Sequence, residues 1–260
     1  MEFFPWPWRE VEFFLLILVR VGVVLFLFPF FSSRLIPLPC KAGLCLLFTV
    51  VFFPVVDLGD ARLPSSGVGV FRLLLSELAV GVILGLMVQV FFEAVRMMGQ
   101  LVGFQTGFAI TNILDPQSGI QISILANMAY LVALVLFLSL DGHHVFVRAL
   151  KESYEILPVG AFTLKGEALM EWMGKFGEMF VLAVKMGAPA IVGLLFLKAA
   201  LGMVTKAIPQ MNVMIVAFPL QIVVGLFFFG VSLRVLLMLT EKYLMNLAPL
   251  LMNSMARMKG

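Results

Sequence analysis

Six uninterrupted apolar stretches limit this sequence to a small set of folds. They run approximately over residues 11–31, 36–56, 74–98, 122–140, 179–204 and 213–239. A helix needs about 20 apolar residues to cross a bilayer; most of the stretches meet that length, and the fourth is at the threshold. The stretches are continuous rather than alternating, which disfavours membrane strands. The sequence therefore predicts an all-α, polytopic membrane protein with about six long apolar helices arranged as kinked hairpins.

The composition supports a membrane protein and disfavours a soluble domain. Apolar residues make up 62% of the chain and charged residues only 13%, against about half and about a quarter in soluble domains. The net charge of +3 gives no large basic field for nucleic acid. The first residues carry no basic patch or cleavage site, so we expect no cleaved signal peptide. Lys and Arg are most frequent at the N-terminus, in the even connections and in the C-terminal tail, which predicts cytoplasmic termini.

Several charged residues lie inside the apolar stretches, where a charge costs about 2.5–3.5 kcal/mol on insertion scales. They are Arg20, Glu77, Glu93, Arg96, Lys185, Lys198 and Arg234. Glu93 and Arg96 are three residues apart and form a candidate ion pair on one helix face. The other charges indicate either structural pairing inside the protein or helices that face partner protein or a wet cavity.

Glycines recur at four-residue intervals along the third apolar stretch. Gly81 and Gly85 form one pair, and Gly99, Gly103 and Gly107 form a series that leads into an irregular segment. Small residues at this spacing let membrane helices approach closely, so Gly81, Gly85, Gly99 and Gly103 are predicted packing positions. Pro189 and Pro219 predict kinks in the last two stretches. Lys206, Pro209 and Gln210 are assigned to a hairpin turn between them.

Motifs that carry enzyme chemistry are not evident in the sequence. His143 and His144, the two histidines, occur in a turn-like Asp-Gly-His-His segment without enough further metal ligands nearby. Cys40 and Cys45 share one apolar stretch and are expected to be reduced thiols. No glycine-rich phosphate loop is present. The sequence therefore predicts no catalytic residues, no metal, no cofactor and no enzyme activity.

Three groups of segments together resemble a known family. They are Glu93–Gly99 with Gly103–Gly107 and Asp115-Pro116; Asp141–His144 with Leu157–Gly160; and Pro209–Val213 with Phe218–Leu220 and Gly225. Their order and spacing resemble the flagellar biosynthetic protein FliR family, which includes the equivalent subunit of virulence injectisomes. The similarity covers most of the chain.

The resemblance implies a subunit of the type III secretion export gate in the bacterial inner membrane, at the base of the flagellum. One such subunit would join several copies of two smaller membrane proteins around a channel for unfolded export substrates. Residues 1–178 would form an N-terminal four-helix region and residues 179–260 a C-terminal hairpin and tail. Such an assembly is raised from the bilayer plane, which would weaken the topology argument.

The resemblance also implies that residues 107–121 form a loop that plugs the closed channel. The corresponding residues are Gly107, Phe108, Ile110, Asn112, Ile113, Leu114, Asp115 and Pro116. This segment is nearly uncharged and rich in apolar side chains. Irregular backbone at membrane depth is tolerated only inside protein or beside water, and apolar constrictions exclude water and ions.

Two other functions are compatible with a polytopic membrane protein. A stand-alone small-solute transporter could use Glu93, Arg96 and Lys198 as a coupling site, although the sequence shows no inverted repeats with matching broken helices. A membrane scaffold without a pore is the third possibility.

Overall fold

The computed structural model describes residues 8–31, 36–56, 66–107, 123–163, 166–210 and 212–258, and these contain seven α-helices. The helices are α1 (Trp8–Leu27), α2 (Leu38–Phe52), α3 (Gly67–Thr106), α4 (Ile124–Ser139), α5 (Gly142–Ile156), α6 (Gly166–Ala207) and α7 (Val213–Ala256). The predicted all-α, membrane-type fold is confirmed.

Three helices extend well beyond the apolar stretches that predicted them. α3 has 40 residues, α6 has 42 and α7 has 44, whereas the corresponding apolar stretches cover 74–98, 179–204 and 213–239. Apolar composition marks the part of a helix that avoids water, but backbone hydrogen bonding continues through flanking polar residues. Lys206, which was assigned to the hairpin turn, lies in the last turn of α6 rather than in the turn that follows.

Other helices are shorter than the predicted crossings. α2 has 15 residues and α4 has 16, fewer than the roughly 20 that a crossing needs. By length and composition, three segments of the described chain could cross a membrane, 67–106, 172–207 and 215–256, and a fourth could if α4 and α5 form one broken span. α2 is therefore shorter than the apolar stretch 36–56 that predicted it, because it is bounded early by Pro37 and by the turn after Phe52.

Local backbone chemistry explains where α4 and α5 meet and where α5 ends. Asp141 has φ 57° and ψ 26°, a left-handed conformation that Asp tolerates better than most residues, and it separates the two helices. α5 ends before Leu157, which precedes Pro158 and is therefore disfavoured from helical conformation.

The α6–α7 hairpin contains a proline, and the residue after it is hydrogen-bonded to the other helix. Pro189 lies inside α6 and removes one backbone donor from the helix. The next amide, Ala190 N–H, donates to Ser232 Oγ on α7 at 3.3 Å. Polar side chains of neighbouring helices commonly satisfy backbone groups near a membrane proline, and here Ser232 supplies an acceptor to the amide that follows Pro189. Pro209 and Gln210 form the turn that links the two helices.

The chain forms two compact units, each built from separated segments. Unit 1 contains residues 1–90, 141–174 and 244–260, and unit 2 contains residues 91–140 and 175–243. In unit 1, Thr163 N–H and Thr163 Oγ1 both donate to the carbonyl of Met258, at 3.0 and 3.2 Å. The two units are groups of segments that pack together. The predicted boundary at residue 178 instead divides the chain into consecutive parts, as the resemblance implies. That boundary stays a prediction.

Candidate functional site

The predicted plug loop connects the end of α3 to the start of α4. Its apolar and turn residues, Phe108, Ile110, Asn112, Ile113, Leu114, Asp115 and Pro116, lie outside the described residues. Gly107 is described and has φ 87°, the left-handed conformation in which glycine commonly ends a helix. The loop can therefore be described from its base, which we define as Gly99, Gly103, Thr106, Ser123 and Gly225.

Two glycines let α3 approach the start of α4 at the loop base. A methyl group added to Gly99 would overlap the backbone of Ala126, and one added to Gly103 would overlap Ser123 Oγ. At Gly99 the overlapping atoms are backbone, so only glycine fits there without a shift of the neighbouring chain, whereas at Gly103 the overlapping atom belongs to a serine side chain. Small residues serve this purpose at membrane-helix contacts. Both predicted packing residues therefore lie where the two ends of the loop are held together.

A third contact fixes the last turn of α3 from another side. Thr106 is fully buried, and its hydroxyl donates to the carbonyls of Val102 and Gly103 at 3.1 and 3.0 Å. A methyl group added to Gly225 on α7 would overlap the Thr106 side chain. The loop therefore departs from a turn held by α4 and α7. In the sequence, Gly225 is recognisable only as part of the family resemblance, and nothing near it predicts a packing role.

The predicted ion pair on α3 also connects α3 to α4. Arg96 Nη1 lies 3.2 Å from Glu93 Oε1, and the two side chains are 40% and 41% exposed. The Arg96 guanidinium lies 4.1 Å from the centre of the Tyr130 ring on α4. An exposed ion pair contributes about 0–1 kcal/mol and an exposed cation–π contact about 0.5–1 kcal/mol. The positive charge of Arg96 therefore has partners within unit 2, and Arg96 takes part in the packing of α3 against α4.

The other predicted glycine pair lies in unit 1, where α3 contacts α1. A methyl group added to Gly81 would stand 3.0 Å from the carbonyl oxygen of Arg20, and one added to Gly85 would meet the Leu27 side chain. The close approach brings α3 against α1 at the level of a buried arginine.

That arginine is the centre of a buried polar cluster, which we call the Arg20 cluster. It consists of the side chains of Arg20, Glu77, Ser153 and Tyr154 and the main chain of Leu157 and Gly160. Arg20 Nε donates to Glu77 Oε2 at 2.6 Å, and both side chains are fully buried. The guanidinium lies 4.2 Å from the centre of the Tyr154 ring.

The Arg20 cluster satisfies backbone groups that the end of α5 leaves without helical partners. Arg20 Nη1 and Nη2 both donate to the Leu157 carbonyl at 3.1 Å, and Nη1 also reaches Ser153 at 3.3 Å. Gly160 N–H donates to the second Glu77 oxygen at 3.0 Å. A helix end has such orphan groups, and a buried end needs side-chain partners for them. The Leu157–Gly160 turn is therefore held against α1 and α3.

Arg20 and Glu77 are recognisable in the sequence as charges inside apolar stretches, but nothing there pairs them. They are separated by 57 positions, too far apart for helix spacing to connect them. The available indication was the Leu-Pro-Val-Gly segment at 157–160, whose backbone groups need hydrogen-bond partners once α5 ends.

The histidines lie at the N-terminus of α5, beside the left-handed Asp141. Ligand atoms of Asp141, His143 and His144 lie within 4.8 Å of one another, and His144 Nδ1 is 3.1 Å from Asp141 Oδ1. Asp141 and His144 are largely exposed. The N-terminus of a helix carries partial positive charge, which favours the carboxylate of Asp141 and disfavours a bound cation.

Comparison with known proteins identifies the family. The profile described as "Bacterial export proteins, family 1" matches residues 11–247. The chain is 31% identical to the flagellar biosynthetic protein FliR of Bacillus subtilis (strain 168) over 86% of each chain. It is 32% identical to FliR of Pectobacterium carotovorum subsp. carotovorum over 83% of this chain and 82% of the relative. It is also 27% identical to the surface presentation of antigens protein SpaR of Salmonella typhimurium over 74% of this chain and 72% of the relative.

The match extends over residues of both units and includes every segment on which the resemblance was based. The chain therefore belongs to the bacterial export proteins, family 1, and the membership of the flagellar biosynthetic protein FliR family that its sequence indicates is confirmed.

Proposed function

We propose that this chain is a non-enzymatic subunit of the type III protein export channel of the flagellum, in the bacterial inner membrane. It joins other membrane proteins, one copy of this chain with several copies of two smaller subunits, around a conduit for unfolded substrates. The family match and the flagellar names of its relatives support this assignment, and so do the long apolar helices.

Within that channel, residues 107–121 act as the plug that closes the conduit until a substrate arrives. The observation that carries this proposal is the loop base, where Gly99 and Gly103 hold α3 against α4 and Gly225 holds the last turn of α3. Both ends of the loop are thereby anchored, so the segment between them can change position without separating the helices. Its apolar side chains exclude water and ions from a narrow passage.

The transporter alternative receives less support from the same region. A coupling site needs ionisable groups that can exchange partners with a solute or proton. Arg96 is instead paired with Glu93 and stacked on Tyr130, which favours a packing role for it.

Removing the plug is expected to open the channel to ions. We expect deletion of residues 108–118 to leave the hetero-oligomer assembled, because the loop base lies outside the deletion, and to raise its ion conductance from near zero to a continuous leak. Single-channel recording of the purified complex in planar bilayers measures this.

A second variant distinguishes the effect of the apolar side chains from the effect of loop length. Replacing Phe108, Ile110, Ile113 and Leu114 together with serine keeps the loop length but removes the apolar seal, so we expect a leak here as well. Conductance that stays at the wild-type level in both variants, with the complex intact, would refute the plug role.

A further inference from the structure

An open groove with a volume of about 660 Å³ lies between the end of α2 and the charged face of α5, and both helices belong to unit 1. We call it the α2–α5 groove. It is lined by the apolar residues Val51, Phe52 and Val55 on one side and by the charged residues Arg148, Lys151, Glu152 and Glu155 on the other. Val51 and Val55 are 58% and 51% exposed. A ligand that suits this groove has both an apolar part and a charged part.

The two walls of the α2–α5 groove are held together by aromatic packing. Phe52 is buried, and its ring centre lies 6.5 Å from that of Tyr154 on α5, within the usual range for aromatic pairs. Tyr154 also contacts the Arg20 guanidinium, so the end of α2 is attached to α5 beside the Arg20 cluster. The groove is therefore already formed in the chain by itself, and an occupant would not have to create it.

The α5 wall carries opposite charges side by side. Arg148 and Lys151 are three residues apart, and Glu152 and Glu155 follow at the same spacing. Residues three or four apart on a helix are neighbours, about 5–6 Å apart between Cβ atoms. The wall therefore presents a cationic pair one turn from an anionic pair.

Contacts within the chain use few of these charges. Lys151 Nζ lies 3.7 Å from Glu155 Oε1, but both side chains are at least half exposed, and such surface pairs are weak. Arg148 is exposed and forms no ion pair within the described part of the chain. The cationic pair is therefore available to an anionic group in the groove.

Glu152 supplies a separate indication of a ligand. Its Oε2 atom is buried and has no hydrogen-bond partner among the described residues. A buried carboxylate oxygen without a donor is unfavourable. An occupant that brings an N–H group to this oxygen would remove the penalty, so the groove favours a ligand with a positively charged hydrogen-bond donor as well as an anionic group.

The sequence around the α2–α5 groove is typical of the membrane–water boundary. The apolar stretch 36–56 ends beside the groove, and Asp57 and Asp60 follow it. α5 has one buried apolar side, which includes Phe146 and Leu150, and one charged side. Helices of this kind commonly lie at the level of the lipid headgroups. A phospholipid is the membrane component that has charged groups at this level and apolar chains next to them.

We propose that the α2–α5 groove binds a phospholipid whose headgroup joins a phosphate to a primary ammonium group, as in phosphatidylethanolamine. The phosphate pairs with Arg148 and Lys151, in the manner of other basic headgroup sites. The ammonium group donates to Glu152, and the acyl chains cover Val51 and Val55. The short ethanolamine link matches the one-turn separation of the two charge pairs.

Other common headgroups satisfy fewer of these groups. The trimethylammonium group of phosphatidylcholine has no N–H to donate to Glu152 Oε2. Phosphatidylglycerol carries no cation for the glutamates. The proposal requires only that the chain lies in a membrane, so its outcome does not depend on the proposed export role.

Photolabelling in nanodiscs tests the proposal. The chain, with the membrane proteins that co-purify with it, is placed in phosphatidylglycerol bilayers that contain a small fraction of phosphatidylethanolamine or phosphatidylcholine with the same diazirine-bearing acyl chain. Mass spectrometry then measures the label on residues 50–56. The ethanolamine lipid should label this segment about tenfold more than the choline lipid, the effect of one hydrogen bond to a charged group.

Two variants separate the contacts to the two parts of the headgroup. Arg148→Gln should lower labelling by both lipids about tenfold, because both carry the phosphate. Glu152→Gln should lower labelling by the ethanolamine lipid alone, to near the level of the choline lipid. Glu178→Gln is the matched control, since Glu178 is an exposed carboxylate on α6 outside the groove, and its labelling should equal that of the wild type.

The comparison of the two lipids on the wild-type chain decides the matter even if a variant does not fold. Equal labelling by the two lipids would overturn the proposal, as would an unchanged preference for the ethanolamine lipid in Glu152→Gln. Absence of label on residues 50–56, with the segment protected by another protein of the complex, would show that a protein occupies the groove and would also overturn it.

Discussion

Replacing Arg20 with methionine is expected to destabilise unit 1 by about 3–5 kcal/mol, the usual cost of breaking a buried ion pair from one side. Glu77 would remain buried without its partner, since both side chains are fully inside the protein. The carbonyl of Leu157 would also lose two donors. We expect little folded protein in the membrane and a greatly lowered thermal unfolding midpoint for whatever can be purified in detergent.

Two further variants identify the cause of that loss. Arg20→Met combined with Glu77→Leu removes both charges, and replacing a buried pair by apolar residues is often close to neutral, so we expect partial recovery. Recovery should be incomplete because Leu157 and Gly160 still lack partners, at about 1–3 kcal/mol for each unsatisfied group. Arg96→Met is the control for a half-exposed pair and should cost only about 1–2 kcal/mol. An Arg20→Met protein as stable as Arg96→Met would contradict the role of the cluster.

The second large effect is expected from Gly99→Ala at the loop base. The added methyl group would overlap the Ala126 backbone and the Leu125 carbonyl, and main-chain atoms cannot rotate away as a flexible side chain can. Overpacking of this kind typically costs about 1–3 kcal/mol. We expect α3 and the start of α4 to separate, the detergent-solubilised protein to unfold at lower temperature, and the assembled channel to leak ions because one anchor of the plug has moved.

Gly230→Ala is the matched control for the glycine prediction. Gly230 lies within α7, and an added methyl group there would meet nothing within 4 Å. Alanine is the better helix former by about 1 kcal/mol, so this variant should be as stable as the wild type or slightly more stable. If Gly99→Ala matched Gly230→Ala in both unfolding temperature and conductance, the close contact at the loop base would not be required.

The sequence predicted the helical character of the fold from the apolar stretches, but it misplaced several helix ends. Hydropathy reports which residues avoid water. α3, α6 and α7 continue beyond their apolar stretches because no residue there interrupts the backbone hydrogen bonds of the helix. The ends set by local chemistry were easier to anticipate, such as the glycine after α3 and the Asp-Gly step before α5. α2 was predicted too long because its flanking residues are apolar although its helix stops at Phe52.

The candidate site was predictable only in part, for a related reason. Four-residue glycine spacing indicates a face that approaches another helix, but it does not identify the neighbour. Neither Ala126 beside Gly99 nor Thr106 beside Gly225 could be deduced from spacing, because these contacts join positions brought together only by folding. The same holds for Arg20 and Glu77, whose charges were conspicuous in the sequence while their shared partners at Leu157 and Gly160 were not.

The attachment of Met258 to Thr163 has a consequence for biogenesis. Residues 244–258 leave the ribosome after every other part of unit 1, yet Leu247, Leu251, Met255 and Met258 are buried in the finished protein. Unit 1 therefore cannot complete its interior before residues 244–258 have been synthesised, and its early segments must wait until this part of α7 is delivered. A message truncated shortly before codon 244 would yield a product with an unfilled core, which quality-control proteases can recognise before it enters an assembly.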